Sequence, residues 1–207
     1  MPRVARIVIP DCPHHVTQRG NNCQDVFFVD DDRRAYLEIL AEQSQKFGVA
    51  VQGYCLMTNH IHLIVTPRAP ESLALAIGRT HWVYAQYINR FHNRSGHLWQ
   101  NRFHSCGLDA KHFRSAMIYV ERNPVRAKMS RTAVSYPWSS AAAHCGKKDT
   151  SNMLDMDTWR RICRDAGDWP RILAADDDKA VGDKLRIWTS SGRPLGGDSF
   201  VSKLEKT

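Results

Sequence analysis

Two apolar runs, Val49-Ala50-Val51-Gln52-Gly53-Tyr54-Cys55-Leu56-Met57 and His60-Ile61-His62-Leu63-Ile64-Val65-Thr66, are separated only by Thr58-Asn59. This spacing constrains the fold more than any other feature. A connection that short makes a tight reversal, so the runs pair as an antiparallel hairpin. A lone hairpin is marginal in water, and the rest of the chain has to supply further strands and a cover for the apolar surface.

The flanking segments supply both. His14-His15-Val16-Thr17-Gln18-Arg19 is β-like and stops at the turn-forming Gly20-Asn21-Asn22. Asp30-Asp31-Asp32 provides cap and first-turn acids for a helix marked by Tyr36, Leu37, Leu40, Ala41 and Phe47, and Gly48 ends it. Pro67 and Pro70 break the second run of the hairpin. Leu73, Ile77, Tyr84, Ile88 and Phe91 then predict a helix from Glu71 to about Asn93. A β-like segment follows from Trp99 through Phe103 to Leu108, and Asp109 is a cap for a helix from Lys111 to Asn123, closed by Pro124.

The order strand, helix, two strands, helix, strand, helix predicts an α+β fold. It takes the form of a ferredoxin-like antiparallel sheet with helices packed on one face. The core domain is expected to span 1–130. Residues 131–207 are expected to form a helical C-terminal extension packing on it, with Trp159, Trp169 and Trp188 to bury and breaks at Gly167, Pro170 and Asp176-Asp177-Asp178.

Composition narrows the function classes. At 207 residues and 43% hydrophobic content the chain can bury a core, and its net charge of +8 points to a polyanionic partner. It has no run of about 18 apolar residues, which argues against a membrane span. The short apolar stretch before Pro10 lacks the pattern of a signal peptide, so the cytoplasm is the expected location. The cysteines are scattered without a C-x-x-C pair, which reads as reduced thiols and not as a zinc ribbon.

Three groups of residues carry chemistry. His60 and His62 alternate along one strand, so both imidazoles point to the same face. Such a pair can ligate one divalent ion or form a hydrogen-bonded pair. Tyr119 and Asn123 stand one helical turn apart, presenting a hydroxyl nucleophile and an amide oxygen, or else a core-edge aromatic and a helix end. The third group is basic and aromatic: Arg79, Trp82, Tyr87, Arg90, Trp99, Arg102, Phe103, Arg122, Arg126 and Lys128. Cations on phosphates and rings on unpaired bases are how single-stranded nucleic acid is held.

Gly53-Tyr54-Cys55-Leu56-Met57-Thr58-Asn59-His60-Ile61-His62-Leu63, taken with Tyr119-Val120-Glu121-Arg122-Asn123-Pro124-Val125-Arg126-Ala127, resembles the single-tyrosine HUH transposases, and among them the REP-associated tyrosine transposase group. Supporting segments are Pro13–Asn21, Gly96-His97-Leu98-Trp99-Gln100, Trp138-Ser139-Ser140 and Gly192-Arg193-Pro194-Leu195-Gly196, so the resemblance covers nearly the whole chain.

The resemblance implies that Tyr119 is the nucleophile and that His60 and His62 hold a divalent metal, Mg²⁺ or Mn²⁺, with Asn123 as third ligand; the sequence itself leaves Glu121, a nearby carboxylate, as the alternative third ligand. It implies a single-stranded or hairpin DNA substrate cut through a 5′-phosphotyrosine intermediate, by a monomer or homodimer. Arg3, Arg6, Arg19, Arg79, Arg90, Arg102, Arg122 and Arg126 are the candidate DNA contacts. Two rival readings are a hairpin-binding regulator that does not cut and a metal-dependent nuclease in which water attacks.

Overall fold

The hairpin forms where the spacing places it. In the computed structural model, which describes residues 6–163, 167–175, 179–197 and 200–201, β2 (Val49–Leu56) and β3 (His60–Pro67) pair antiparallel, and Met57 N donates to His60 O at 2.9 Å across the turn. With β1 (His14–Arg19) and β4 (His104–Gly107) they complete a four-stranded sheet in the order β2-β3-β1-β4, with every neighbouring pair antiparallel. This is the ferredoxin-like arrangement. The helices between the strands are α1 (Asp30–Lys46) and α2 (Ser72–Phe91), and α3 (Ala110–Arg126) follows β4. At the start of α1 the Asp32 carboxylate accepts from the backbone of Phe28 and Val29 at 2.8 and 3.0 Å, satisfying donors that lie before the first turn.

Strand alternation divides the core in two. Val16, Val51, Ile61, Leu63 and Val65 pack against Tyr36 and Leu40 of α1 and Leu73, Ile77, Tyr84 and Ile88 of α2. Cys55 and Ile64 pack instead with Phe113, Ala116, Met117 and Val120 of α3. The expected helical layer on one face is therefore α1 with α2, and the opposite face is covered too. The cause is that β2 and β3 are apolar on both sides, so one layer alone would leave Cys55 and Ile64 in water.

The approach of α3 to the sheet is unusually close at Gly53, where a Cβ would lie 2.5 Å from the Met117 sulfur. Glycine here lets the helix sit low on β2. The extension supplies α4 (Ala141–His144), α5 (Met156–Ile162), α6 (Trp169–Ala174) and α7 (Lys179–Ser191). It also caps both sheet edges. Leu56 N donates to Trp138 O (2.9 Å), Ser140 N to Tyr54 O (3.0 Å) and Asp155 N to Val51 O (2.7 Å) along β2, while Leu195 N donates to Gly107 O (2.8 Å) on β4. Edge groups that would otherwise invite another chain are thereby paired. The Asp176-Asp177-Asp178 run lies outside the described residues. Among those described, no helix is long and apolar enough to cross a membrane.

Two local expectations are corrected. The β-like segment from Trp99 yields a strand only over His104–Gly107, because Trp99 turns inward, donating its indole N–H to His81 O at 3.1 Å and packing on the His81 ring at 4.5 Å. Proline does not close α3 either, since the helix runs on to Arg126 with Pro124 inside it. Pro124 has no N–H to give Val120 O, and the Asn123 side-chain amide donates to that carbonyl at 3.3 Å, and to Tyr119 O at 3.1 Å.

Candidate active site

The register of β1 against β3 assembles the site. Thr17 lies opposite His62 and Arg19 opposite His60, and on the other side of β1 Thr17 lies opposite His104. Residues opposite one another, and those two apart on a strand, share a face. His15, Thr17, Arg19, His60, His62 and His104 therefore fall on one surface, and all of them line a cleft of about 390 Å³. From α3 the cleft receives Tyr119, from the β4 approach Gln100 and Asn101, and from α7 Arg186, Thr189 and Ser190. The rings of His62 and Tyr119 meet edge-to-face at 5.5 Å.

Both histidines are held by neighbouring polar groups. Nδ1 of His60 lies 2.7 Å from Asn59 Oδ1, which can only accept, so His60 carries its proton on Nδ1 and leaves Nε2 with a lone pair. Nδ1 of His62 lies 2.9 Å from Nε2 of His15, whose own Nδ1 lies 2.7 Å from the Thr189 hydroxyl. Burial, helped by the nearby Arg19 and Arg186, pushes His60 down to about 4. Burial, with His60, His15, Arg126 and Arg186 adding to it, holds His62 well below the ordinary histidine value. Both rings are thus neutral near pH 7, the form that binds metal. Two anchored neutral imidazoles are a donor set that would suit a divalent ion. Among the described residues there is no cluster of three or more His, Cys, Asp or Glu suited to hold a metal.

Tyr119 is buried, at 3% exposure, and ringed by cations. The Arg126 guanidinium sits 4.0 Å from the centre of its ring and donates to Tyr119 O at 2.6 Å, and Arg186 Nε donates to the Tyr119 hydroxyl at 3.0 Å. Asn123 is also buried and does not line the cleft with the histidines, and its amide nitrogen is committed to the helix backbone. Glu121 points away from the cleft into the extension. Its carboxylate accepts from Ser140 Oγ (2.6 Å) and Trp169 Nε1 (2.9 Å) and lies 2.5 Å from His144 Nδ1, with the Glu121 and His144 side chains both wholly buried. This places Ser140 of the Trp138-Ser139-Ser140 segment at the joint that docks the extension.

The arginines expected to meet DNA are dispersed. Arg19 lines the cleft and bonds Gln100 Oε1 at 2.9 and 3.2 Å. Arg6 stacks 3.7 Å over the Phe103 ring, and with Arg102 it lines both a groove of about 660 Å³ beside α2 and a neighbouring one of about 690 Å³. The first of these grooves shares the lining residues Gln18 and Asn101 with the cleft and extends to the exposed Trp82, on which Arg79 stacks at 4.2 Å. Arg90 is exposed at the end of α2, outside these grooves. Arg122 is buried and donates to Ala175 O, tying α3 to the extension. Arg3 lies outside the described residues.

Sequence reasoning missed His15, His104, Arg186 and Thr189. His15 could have been found from alternation, since it shares a face with Thr17 and Arg19 once β1 is paired to β3. Nothing local marks Arg186 or Thr189, which reach the cleft only because α7 folds back across β4 and α3.

The family model described as transposase, IS200-like, matches residues 9–123. No curated protein matches the chain. Among solved structures, the chain is similar to the REP-associated tyrosine transposase bound to a REP hairpin, at 15% identity and a TM-score of 0.58, over 68% of this chain and 82% of that one. It is also similar to a chain from Deinococcus radiodurans R1 assigned as a transposase, at 15% identity and a TM-score of 0.41, over 63% of this chain and 94% of that one.

Proposed function

Because the chain belongs to the IS200-like transposase family, whose model spans more than half of its length, we propose that it cuts and rejoins single-stranded DNA at the foot of a hairpin. Tyr119 is the nucleophile. The observation that carries this reading is that a tyrosine hydroxyl, two neutral histidines and two arginines, Arg19 and Arg186, line one cleft. That the solved relative is described as bound to a REP hairpin makes a hairpin the substrate to try first.

In the proposed reaction the Tyr119 oxygen forms a bond to phosphorus as the bond from phosphorus to the 3′-oxygen breaks. The phenolic proton departs and the 3′-oxygen takes one up, leaving a 5′-phosphotyrosine and a free 3′-hydroxyl. Another 3′-hydroxyl can reverse the step and join strands, because one phosphodiester replaces another. A divalent ion, Mg²⁺ or Mn²⁺, held by His60 and His62 would polarise the phosphate and offset the charge that develops on it.

The chain's own residues orient the reactants. The edge-to-face contact with His62 and the Arg126 cation over the ring fix the phenol, and Arg19, held by Gln100, presents a second positive group at the cleft wall. The groove past Gln18 and Asn101 gives the strand a route to Trp82, whose exposed face can stack an unpaired base. Asn123 acts on this reading through α3, by repairing the backbone at Pro124 so that Tyr119 keeps its place.

The test is a hairpin oligonucleotide labelled on the 3′ side of the cut, incubated with Mg²⁺ and run on a denaturing gel. Wild type is expected to give a shifted covalent band. Tyr119→Phe, which removes one oxygen and keeps the ring, is expected to give none while still binding the hairpin. Cutting without any adduct would assign the attack to water, and binding without cutting would make the protein a regulator.

A further inference from the structure

Three contacts from α7 converge on the residues that do the chemistry. Gly182 faces the Tyr119 ring so closely that a Cβ there would lie 2.9 Å from Cε2. One turn later Arg186 Nε donates to the Tyr119 hydroxyl at 3.0 Å, with its NH1 held 2.7 Å from Asp183 Oδ1. Thr189, a further turn along, bonds the buried His15 that stands behind His62. Positions 182, 186 and 189 follow helical spacing, so a single face of α7 makes all three contacts. The family model ends at residue 123, so this face comes from outside the region that defines the family.

We propose that Arg186 is a catalytic residue contributed by the C-terminal extension: its guanidinium touches the attacking oxygen of Tyr119 and supplies positive charge to the oxygens of the scissile phosphate. This rests on the strand-transfer reading above. The chemical case is that Arg126 and Arg186 hold Tyr119 differently. Arg126 lies over the ring and donates to the backbone carbonyl, so it sets the position of the phenol. Arg186 is bonded to the oxygen that forms the new bond, and it lines the same cleft as His60 and His62, where the phosphate would sit.

As the Tyr119 oxygen bonds to phosphorus and the 3′-oxygen leaves, negative charge is redistributed among the entering, leaving and non-bridging oxygens. A planar guanidinium with several N–H donors can serve the entering oxygen and a non-bridging one together. It gives up no proton in the step and needs no co-reactant. The short partner at Asp183 pre-orients the group, so little ordering is left to do when substrate arrives.

The experiment uses the full-length chain and the same labelled hairpin, comparing wild type with Arg186→Ala, Arg186→Gln and Arg186→Lys. Loss of one pre-oriented donor at a reacting oxygen is expected to slow adduct formation by about 100-fold or more. Thermal melting should stay close to wild type, since Arg186 adds little to the buried core, while hairpin affinity should fall far less than the rate, by the loss of one phosphate contact among several. Arg186→Lys should recover part of the rate, and guanidinium ion at millimolar concentration should partly rescue Arg186→Ala but leave Arg186→Lys unchanged. A merely structural role would show no such rescue. Adduct formation by Arg186→Ala at or above the wild-type rate would overturn the proposal while leaving Tyr119 as nucleophile. If wild type itself forms no adduct, the strand-transfer reading fails first, and this assignment with it.

Discussion

His15 Nε2 lies 2.9 Å from Nδ1 of His62, and the two rings stack at 5.1 Å with 13° between their planes. This contact decides what His62 can do. When His62 Nδ1–H donates to His15, His15 must carry its own proton on Nδ1 and donate it to Thr189 Oγ1, and Nε2 of His62 then faces the cleft with a lone pair. The opposite order of donors would put a proton on Nε2 and block a metal. Burial pushes His15 down to about 3, so it stays neutral throughout the working range.

On the proposed reading His15 is a positioning residue for His62. His15→Ala is expected to weaken Mn²⁺ binding by roughly 10–100-fold, as measured by calorimetric titration, with hairpin affinity nearly unchanged. His60→Ala and His62→Ala should abolish both metal binding and cleavage, again sparing hairpin affinity, because neither removes a cation that grips phosphate. Wild-type Mn²⁺ affinity in His15→Ala would show that the ring behind His62 only fills space.

Glu121 controls whether the extension stays docked. Its carboxylate is wholly buried and serves Ser140 and His144 at the two ends of α4 and Trp169 at the start of α6. Glu121→Ala takes that partner from His144 Nδ1 and Trp169 Nε1, and leaving a buried polar group unsatisfied costs about 1–3 kcal/mol. Urea unfolding should show that loss. An unaltered midpoint would mean that the joint contributes nothing.

Stability should fall on the acid side, with a sign that follows from burial. His14 is pushed down to about 4, His15 and His81 to about 3, and each is nearly inaccessible to solvent. The unfolded chain binds protons at these positions below about pH 6.5, whereas the folded chain does not until its own lower values are reached. Their contribution is therefore fully present above about pH 6.5 and is lost progressively as the pH falls towards 4 and 3. Each histidine adds up to about 1.4 kcal/mol per pH unit to the slope in that window. Urea midpoints measured from pH 7 to pH 4 should decline steadily, and a flat profile would contradict the neutral, buried assignment.

Local pattern was enough for the scaffold and for the motif residues. Thr58-Asn59 between two apolar runs could only make a hairpin, alternation put His60 and His62 on one face, and helical spacing put Tyr119 and Asn123 one turn apart, because these relations depend on periods of two and 3.6 residues along the chain. What lay opposite those residues depended on contacts between distant segments. The pairing of β1 with β3 brought His15 behind His62 across 47 positions, and the return of α7 brought Arg186 onto Tyr119 across 67. Pattern could not tell that Glu121, two residues from Tyr119, turns into the extension, nor that Arg122 does the same while Arg126 stays with Tyr119. Those roles are set by which face of α3 meets the sheet and which meets the extension. That division was decided by the low seat of Met117 on Gly53 and by helices folding in from beyond residue 130, where no periodicity within α3 could reveal them.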